Sequence, residues 1–467
     1  MNLETRATID EAAGRRSNQS GQLRILLGQL INSKLLLFTM ILLQVLWFIG
    51  IWATGASTSG VSILFHILYT IVCGLIIWML PETWFIKFKR VKERLIQNPR
   101  TMLTTTIIIV LCVGALYSYY QRVWTWDEEN SFKAAKLLAE EGPAQFFANY
   151  SSNGWLGRFH PPLMPLIYGF STRIFGVSLL VMRLAAVMLA LGTVLCTYFL
   201  GRRLYDNEIG VLAAFLLLTF PLIIRQGAAA MTDMGVTFFF TLAMLLTLYL
   251  YHQATYRKAI LLGIVIGLGL LTKYTMLLIG PVLLGYYLLH SRFRKLTPHF
   301  IVGALISFTL LGGWLAYAYQ IGVLSGQQTN LVTEFEPAYF FVNSEGHGWL
   351  LESILTKLPS SIGMYNLPLL FIGIVLIIQH RRFSDQFLLL WIFVLALELL
   401  LTLPDHRYFM PIFPALAVVG ANGIKNVPKV SDRLVLLAIL FAVSSLVLFA
   451  TWFRSSGLFN ECFTSFC

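Results

Sequence analysis

The stretch RVWTWDEENS sets Asp127, Glu128 and Glu129 side by side in a chain with only 22 acidic residues against 34 lysines and arginines. A carboxylate can accept the proton of an attacking hydroxyl. It can equally cap a helix or favour the positive end of its dipole, and an amphipathic helix over 127–142, ending at Gly142, offers both roles, with Asp127 as its N-cap. In that helix Phe132, Ala135, Leu138 and Ala139 fall at helical spacing, so it is expected to lie in a membrane interface with Trp124 and Trp126 as anchors. A further acid, Asp233, stands in AAAMTDMGVTFFFTL, where Thr232 and Asp233 would also serve as caps. Cations gather in three other motifs. GRFHPPLMPLIYGF fixes Arg158 and His160 ahead of a rigid double proline and an apolar helical run, LLTKYT carries Lys273, and LPDHRYFMPIFP carries Asp405, His406 and Arg407. Several cations on one rim suit an anion, and acids beside them suit proton transfer near it.

The setting is a membrane. Of 467 residues 57% are hydrophobic and 12% charged, with mean hydropathy +0.73, where a soluble domain has about 25% charged residues. Spanning helices need roughly 20 apolar residues each. About thirteen are expected, over about 35–53, 61–80, 102–119, 177–200, 209–224, 234–251, 259–274, 275–290, 298–318, 364–379, 386–402, 408–424 and 433–452. With the N-terminus in the cytoplasm, alternation of sides puts 23 of the 34 lysines and arginines in inside loops. The net charge of +12 is therefore a topology signal, and nucleic acid is not an expected partner. All the motifs above fall on the extracytoplasmic side, which also has the two long loops, 120–176 and 320–365. Arg183 and Glu398 lie deeper, at about 2.5–3.5 kcal/mol each if central in a span, and are expected to find partners, such as each other.

The expected organisation is a cytosolic tail over 1–33 without the regions of a cleaved signal peptide, two extra spans and a basic linker over 34–100, and a main membrane domain over 101–467. Cys73, Cys112 and Cys196 lie in spans, whereas Cys462 and Cys467 stand in ECFTSFC, where a short-loop disulfide can form in an oxidising compartment.

The order WDE after a span, then HPPL, TDMGVTFFFTL, LTKYT and HRYFMPIFP resembles the GT-C fold glycosyltransferases of the protein O-mannosyltransferase and lipid A aminoarabinose transferase group, glycosyltransferase family 39 and its relatives. The likeness runs over about 119–425 and leaves the first two spans outside. It implies an all-α polytopic GT-C fold with loop helices outside the membrane, and an inverting hexosyl- or pentosyltransferase that uses a polyprenyl-phosphate sugar. By position, Asp127 and Glu128 match the family's first-loop Asp-Glu pair, which acts at the acceptor, and Asp233 its second acid. His160 matches the basic residue before the double proline, and Lys273 the lysine near the lipid phosphate. The aminoarabinose branch has Glu-Lys before the prolines where this chain has Phe159 and His160, so no metal is predicted, although His347 in GHGWLLESILTKLP resembles the histidine of that branch's metal site.

The residues point the same way. No nucleotide sugar is expected outside the cytoplasm, and neither a Walker loop nor a dinucleotide fingerprint occurs in the loops. A donor acting there would arrive on a lipid. Asp127 would take the acceptor's proton while Lys273, His160, Arg158 and Arg407 stabilise the departing phosphate. The acceptor, a lipid, glycan or protein hydroxyl, is left open. A lipid or sugar transporter is the alternative, against which stand the lack of an internal repeat and the crowding of polar residues at one rim. A scaffold would leave the gathering of acids and cations unexplained.

Overall fold

The computed structural model describes residues 98–120, 125–152, 155–156, 160–324, 358–363, 366–399 and 406–426. The expected spans over 35–53, 61–80 and 433–452, the terminal cysteine pair and most of the loop 320–365 lie outside them. Every regular element among the described residues is helical.

Helix α1, Pro99–Tyr120, is followed by α2, Trp126–Ala148. Thr125 caps α2 from an extended conformation, its hydroxyl accepting the Glu128 N–H at 3.2 Å, so Asp127 is not the N-cap expected for it. Gly142 interrupts α2 with φ +87°, ahead of Pro143, which has no N–H to continue the ladder. Ala135 and Leu138 on the expected apolar face are fully buried. Against them packs α3, Leu163–Phe175. Pro162, with φ −80° and ψ −15°, is the N-cap of α3, so the second proline of the pair already has helical dihedrals at the entry to the helix.

Four helices are long and apolar enough to cross a bilayer among the described residues: α1, α4 (Leu179–Leu204), α7 (Asp233–His252) and α11 (Thr297–Gln320). The single span expected over 209–224 is instead two helices, α5 (Asn207–Leu217) and α6 (Pro221–Gly227), bent by 71°. Pro221 removes a ladder donor, and buried Asn366 repairs the break, donating to the Thr219 carbonyl at 3.3 Å and accepting from the Thr219 hydroxyl at 3.2 Å. A broken span survives in lipid only where protein satisfies the freed groups. Counted as one span, the bent pair would be a fifth.

The remaining helices are α8 (Tyr256–Leu270), α9 (Ile279–Leu289), α10 (Ser291–Arg294), α12 (Leu358–Ile362), α13 (Leu367–His380), α14 (Phe383–Leu399) and α15 (Phe413–Lys425). Lys273 falls between α8 and a 3₁₀ turn, Tyr274–Leu278, so the two segments meeting there are separate elements, as their sequences suggest. A second 3₁₀ turn, His406–Ile412, leads into α15. Helix α7 is the most enclosed of the four long helices, with 72% of its apolar window buried against 22% for α11. It packs on α4 and α8 and touches the 406–412 turn, so its first residue, Asp233, meets several elements at once.

Helices α8 and α11 approach so closely at Gly263 that a Cβ there would lie 2.4 Å from the Gly303 carbonyl oxygen. The Ser307 hydroxyl bonds to both the Gly263 and Gly303 carbonyls at 2.9 Å. Gly263→Ala is expected to destabilise the protein by roughly 1–3 kcal/mol despite alanine's better helix propensity, because backbone cannot yield as a side chain does. Gly280→Ala, which meets nothing within 4 Å, is the matched control and should melt at the wild-type temperature or slightly above it in detergent.

Candidate active site

Glu128, in the first turn of α2, is completely buried, and Arg183 of α4 meets it in a bidentate pair, Nε to Oε1 at 2.8 Å and Nη2 to Oε2 at 2.7 Å. Glu128 Oε1 also accepts the Ala230 N–H at 2.9 Å, and Arg183 Nη1 donates to the Ser118 carbonyl at 3.1 Å. This one node ties together the end of α1, the start of α2, the N-terminal part of α4 and the segment before α7. Arg183 thus has a partner, as its depth predicts; the Glu398 side chain, named as one candidate, lies outside the described residues. Both Glu128 oxygens are engaged, the arrangement of a structural strut, whereas the resemblance places Glu128 with Asp127 among the catalytic residues. The Tyr168 hydroxyl of α3 adds a further tie, donating to the Met231 carbonyl at 2.6 Å.

Asp127, the neighbour of that strut, accepts from Arg407 Nη1 at 2.5 Å. The same nitrogen is 3.8 Å from Oδ2 of Asp233, whose Oδ1 accepts from Lys273 Nζ at 2.8 Å. Thr232 makes no side-chain capping bond, so Asp233 opens α7 as the centre of an ion-pair network and not as part of a cap. The Lys273 ammonium stands 4.2 Å from the centre of the Tyr408 ring. Two acids and two cations from four separate elements thus form one chain, Asp127–Arg407–Asp233–Lys273.

His160 joins this group from the loop before α3. Its carbonyl accepts from the Tyr150 hydroxyl at 2.7 Å, and its ring lies 4.1 Å from that of Trp155. The Leu163 N–H donates to the Leu271 carbonyl at 2.9 Å, which binds the His-Pro-Pro loop to the turn that carries Lys273. Burial first, then the charges of Lys273 and Arg407, push the imidazole down to about 3, against the pull of Asp127 and Asp233. The histidine expected as a cation therefore enters as a neutral ring. Arg158, Asp405 and His347 lie outside the described residues. Among the described residues no three His, Cys, Asp or Glu side chains gather as metal ligands.

The arrangement can hold an anion against Lys273 and Arg407, place a carboxylate beside it, and offer a neutral imidazole for hydrogen bonding. Sequence reading missed Tyr408 beneath Lys273 and Thr125 as the cap. Tyr408 directly follows Arg407, and Thr125 stands just before the acids, so both were visible as neighbours of motif residues.

Residues 159–317 match the family model described as dolichyl-phosphate-mannose-protein mannosyltransferase. A protein of Aquifex aeolicus with no assigned function is 26% identical over 360 residues, covering 74% of this chain and 69% of that one. Undecaprenyl phosphate-alpha-4-amino-4-deoxy-L-arabinose arabinosyl transferase 1 of Pseudomonas fluorescens is 32% identical over 149 residues, which are 30% of this chain and 26% of that protein. In fold, the chain is similar to the crystal structure of ArnT from Cupriavidus metallidurans bound to undecaprenyl phosphate, with a TM-score of 0.55 at 15% identity, covering 69% of this chain and 60% of that one. The chain thus aligns with about a quarter of the curated arabinosyl transferase and with less than two thirds of ArnT.

Arg183→Met strands a buried carboxylate and should cost about 3–5 kcal/mol, read as a lowered melting temperature, and adding Glu128→Leu should restore part of the loss. His160 contributes to the acid side of the stability profile. Its folded-state value lies below the unfolded value of about 6.5, so the unfolded chain binds the proton first as pH falls. The contribution of His160 to stability is then complete above about 6.5 and declines as pH drops from there toward about 3. Thermal melts from pH 7 to 5 should show a larger loss for wild type than for His160→Gln.

Proposed function

Because residues 159–317 match the family model described as dolichyl-phosphate-mannose-protein mannosyltransferase, we propose that the chain transfers a sugar from a polyprenyl-phosphate donor to an acceptor hydroxyl at the extracytoplasmic face, with inversion. The observation that carries this reading is the convergence of Asp127, Asp233, Lys273 and Arg407 at one end of the helix bundle. A structural role alone accounts poorly for it, since buried charges are costly to desolvate and add little net stability.

The proposed topology has about thirteen spans, with the N-terminus and the basic loops in the cytoplasm. Support comes from the helices themselves: α4 runs from Arg183 near the charge cluster to Arg202 and Arg203, and α7 runs from Asp233 to His252, shortly before Arg257 and Lys258.

In the proposed reaction an acceptor oxygen attacks the anomeric carbon as the bond to the phosphate oxygen breaks. The hydroxyl proton passes to Asp127, and the bonding electrons leave with the phosphate. The transition state has oxocarbenium character. A phosphate is a competent leaving group without protonation, so the help it needs is charge, from Lys273 and Arg407, already placed in a partly dry site. His160, neutral, contributes a hydrogen bond. Asp233, held by both cations, keeps them in position. The arrangement asks for no cofactor. A single displacement inverts the anomeric centre. Arg158 is proposed to join the phosphate site from the same loop as His160. The sugar and the class of acceptor are set by parts of the site that this cluster does not define.

The test is release of free polyprenyl phosphate from a panel of polyprenyl-phosphate sugars by the purified protein, with cell-envelope extract as acceptor. Release should depend on the extract and fall by about 10²–10⁴-fold in Asp127→Asn, the range for loss of a general base. A folded Asp127→Asn protein as active as wild type would remove Asp127 from the mechanism. Lipid movement across a vesicle membrane without sugar transfer would favour a transporter.

A further inference from the structure

The four charges at the site differ in depth, and the difference assigns them different lives. Asp233 and Lys273 are 3% and 13% exposed, whereas Asp127 and Arg407 are 24% and 22% exposed. The inner pair is held in a confined place and also meets the Tyr408 ring. The outer pair is partly exposed, and ion pairs shared with solvent contribute little net stability. Arg407 also sits between two carboxylates, 2.5 Å from Asp127 and 3.8 Å from Asp233, so its guanidinium has a second acid within reach when it leaves the first. Its backbone is fixed in the 406–412 turn packed on α7 and α14, which leaves the long side chain as the moving part.

With Arg407 on its Oδ2, Asp127 has one of its two oxygens occupied, and an acceptor hydroxyl cannot use that oxygen without an exchange of partners. A phosphate brought against Lys273 provides the exchange. Its oxygens match the guanidinium fork and carry charge that a carboxylate shared with solvent cannot better. We propose that Arg407 is an exchange element: it pairs with Asp127 while the donor is absent, moves to the donor's phosphate when the lipid binds, and so frees Asp127 for the acceptor. Binding is then ordered, with the lipid-linked phosphate first. Arg407 acts on the reaction twice, as a phosphate ligand and as the group that withholds the base until there is something to attack. The inference rests on the transferase reading above, since it takes Asp127 as the proton acceptor, but it can fail by itself.

The test measures Asp127 directly. The protein in nanodiscs is treated with a water-soluble carbodiimide and an amine, and the rate of labelling at Asp127 is followed by peptide mass spectrometry, with undecaprenyl phosphate, with undecaprenol, or with neither. Undecaprenyl phosphate should raise the Asp127 rate roughly two- to fivefold, the factor to which loss of a weak, partly exposed ion pair corresponds. Undecaprenol, lacking the phosphate, should leave it unchanged. Arg407→Gln should show the higher rate with no lipid present and no response to phosphate lipid. An Asp127 rate that undecaprenyl phosphate leaves unchanged or lowers overturns the exchange. Polyprenyl phosphate release by the same preparation separates the two readings: turnover with unresponsive labelling removes the exchange alone, whereas responsive labelling without turnover on any donor supports the exchange and counts against the transferase.

Discussion

Arg183 and Glu128 meet where almost no water reaches, and the geometry of the site follows from that meeting. Removing a guanidinium and a carboxylate from water costs several kcal/mol per ion, recovered only when the pairing is close and the leftover donors and acceptors are filled. Here they are filled: the carboxylate takes both guanidinium bonds and the Ala230 N–H, and the guanidinium reaches the Ser118 carbonyl as well. Such a node tolerates little displacement. Asp127 is covalently next to it on one side, and Asp233 follows Ala230 by three residues on the other, so the two acids of the site are positioned from a common anchor.

Around that anchor the membrane dictates where the chain is allowed to be irregular. Backbone groups freed by a helix break need partners inside the protein, since lipid offers none. At the α5–α6 bend the partner is Asn366, and at the turn after α8 it is the Leu163 N–H on the Leu271 carbonyl. The second of these breaks carries Lys273. A helix running straight through residue 273 would have put its ammonium on a helix flank, whereas the turn delivers it to Asp233. Irregular backbone is thus spent where chemistry needs a side chain at a helix end.

Asp127, Asp233, Lys273 and Arg407 balance in charge and His160 is held neutral, so these five described side chains together carry no net charge. An arriving phosphate adds negative charge to a set of oriented cations that need not be gathered anew, which is the condition under which electrostatics contributes most to a reaction. On the proposed reading, the Asp127–Arg407 pair of the free protein is the one that the donor rearranges.

Composition and the spacing of apolar runs sufficed to identify a multi-pass membrane protein, and alternation of basic loops placed Asp127, Asp233, Lys273 and Arg407 on one face, because hydropathy and charge act locally along a chain. The helix over 127–142, the helix after the double proline and the break at Lys273 were legible for the same reason, since each depends on a few neighbouring residues. Local signals misled where two readings were locally equal: Asp127 and Thr125 can both cap, and only the cap geometry favours Thr125. A continuous span and a bent one likewise read alike from 209 to 224, until Asn366, more than a hundred residues away, makes the bend affordable. The pairing of charges belonged to the tertiary structure alone. Arg183 chose Glu128 at a separation of 55 residues, Lys273 chose Asp233 at 40 and Arg407 reached Asp127 at 280, and burial made His160 neutral. An ion pair is a matter of distance and dielectric, and both are set by how helices pack and not by the order in which the residues occur.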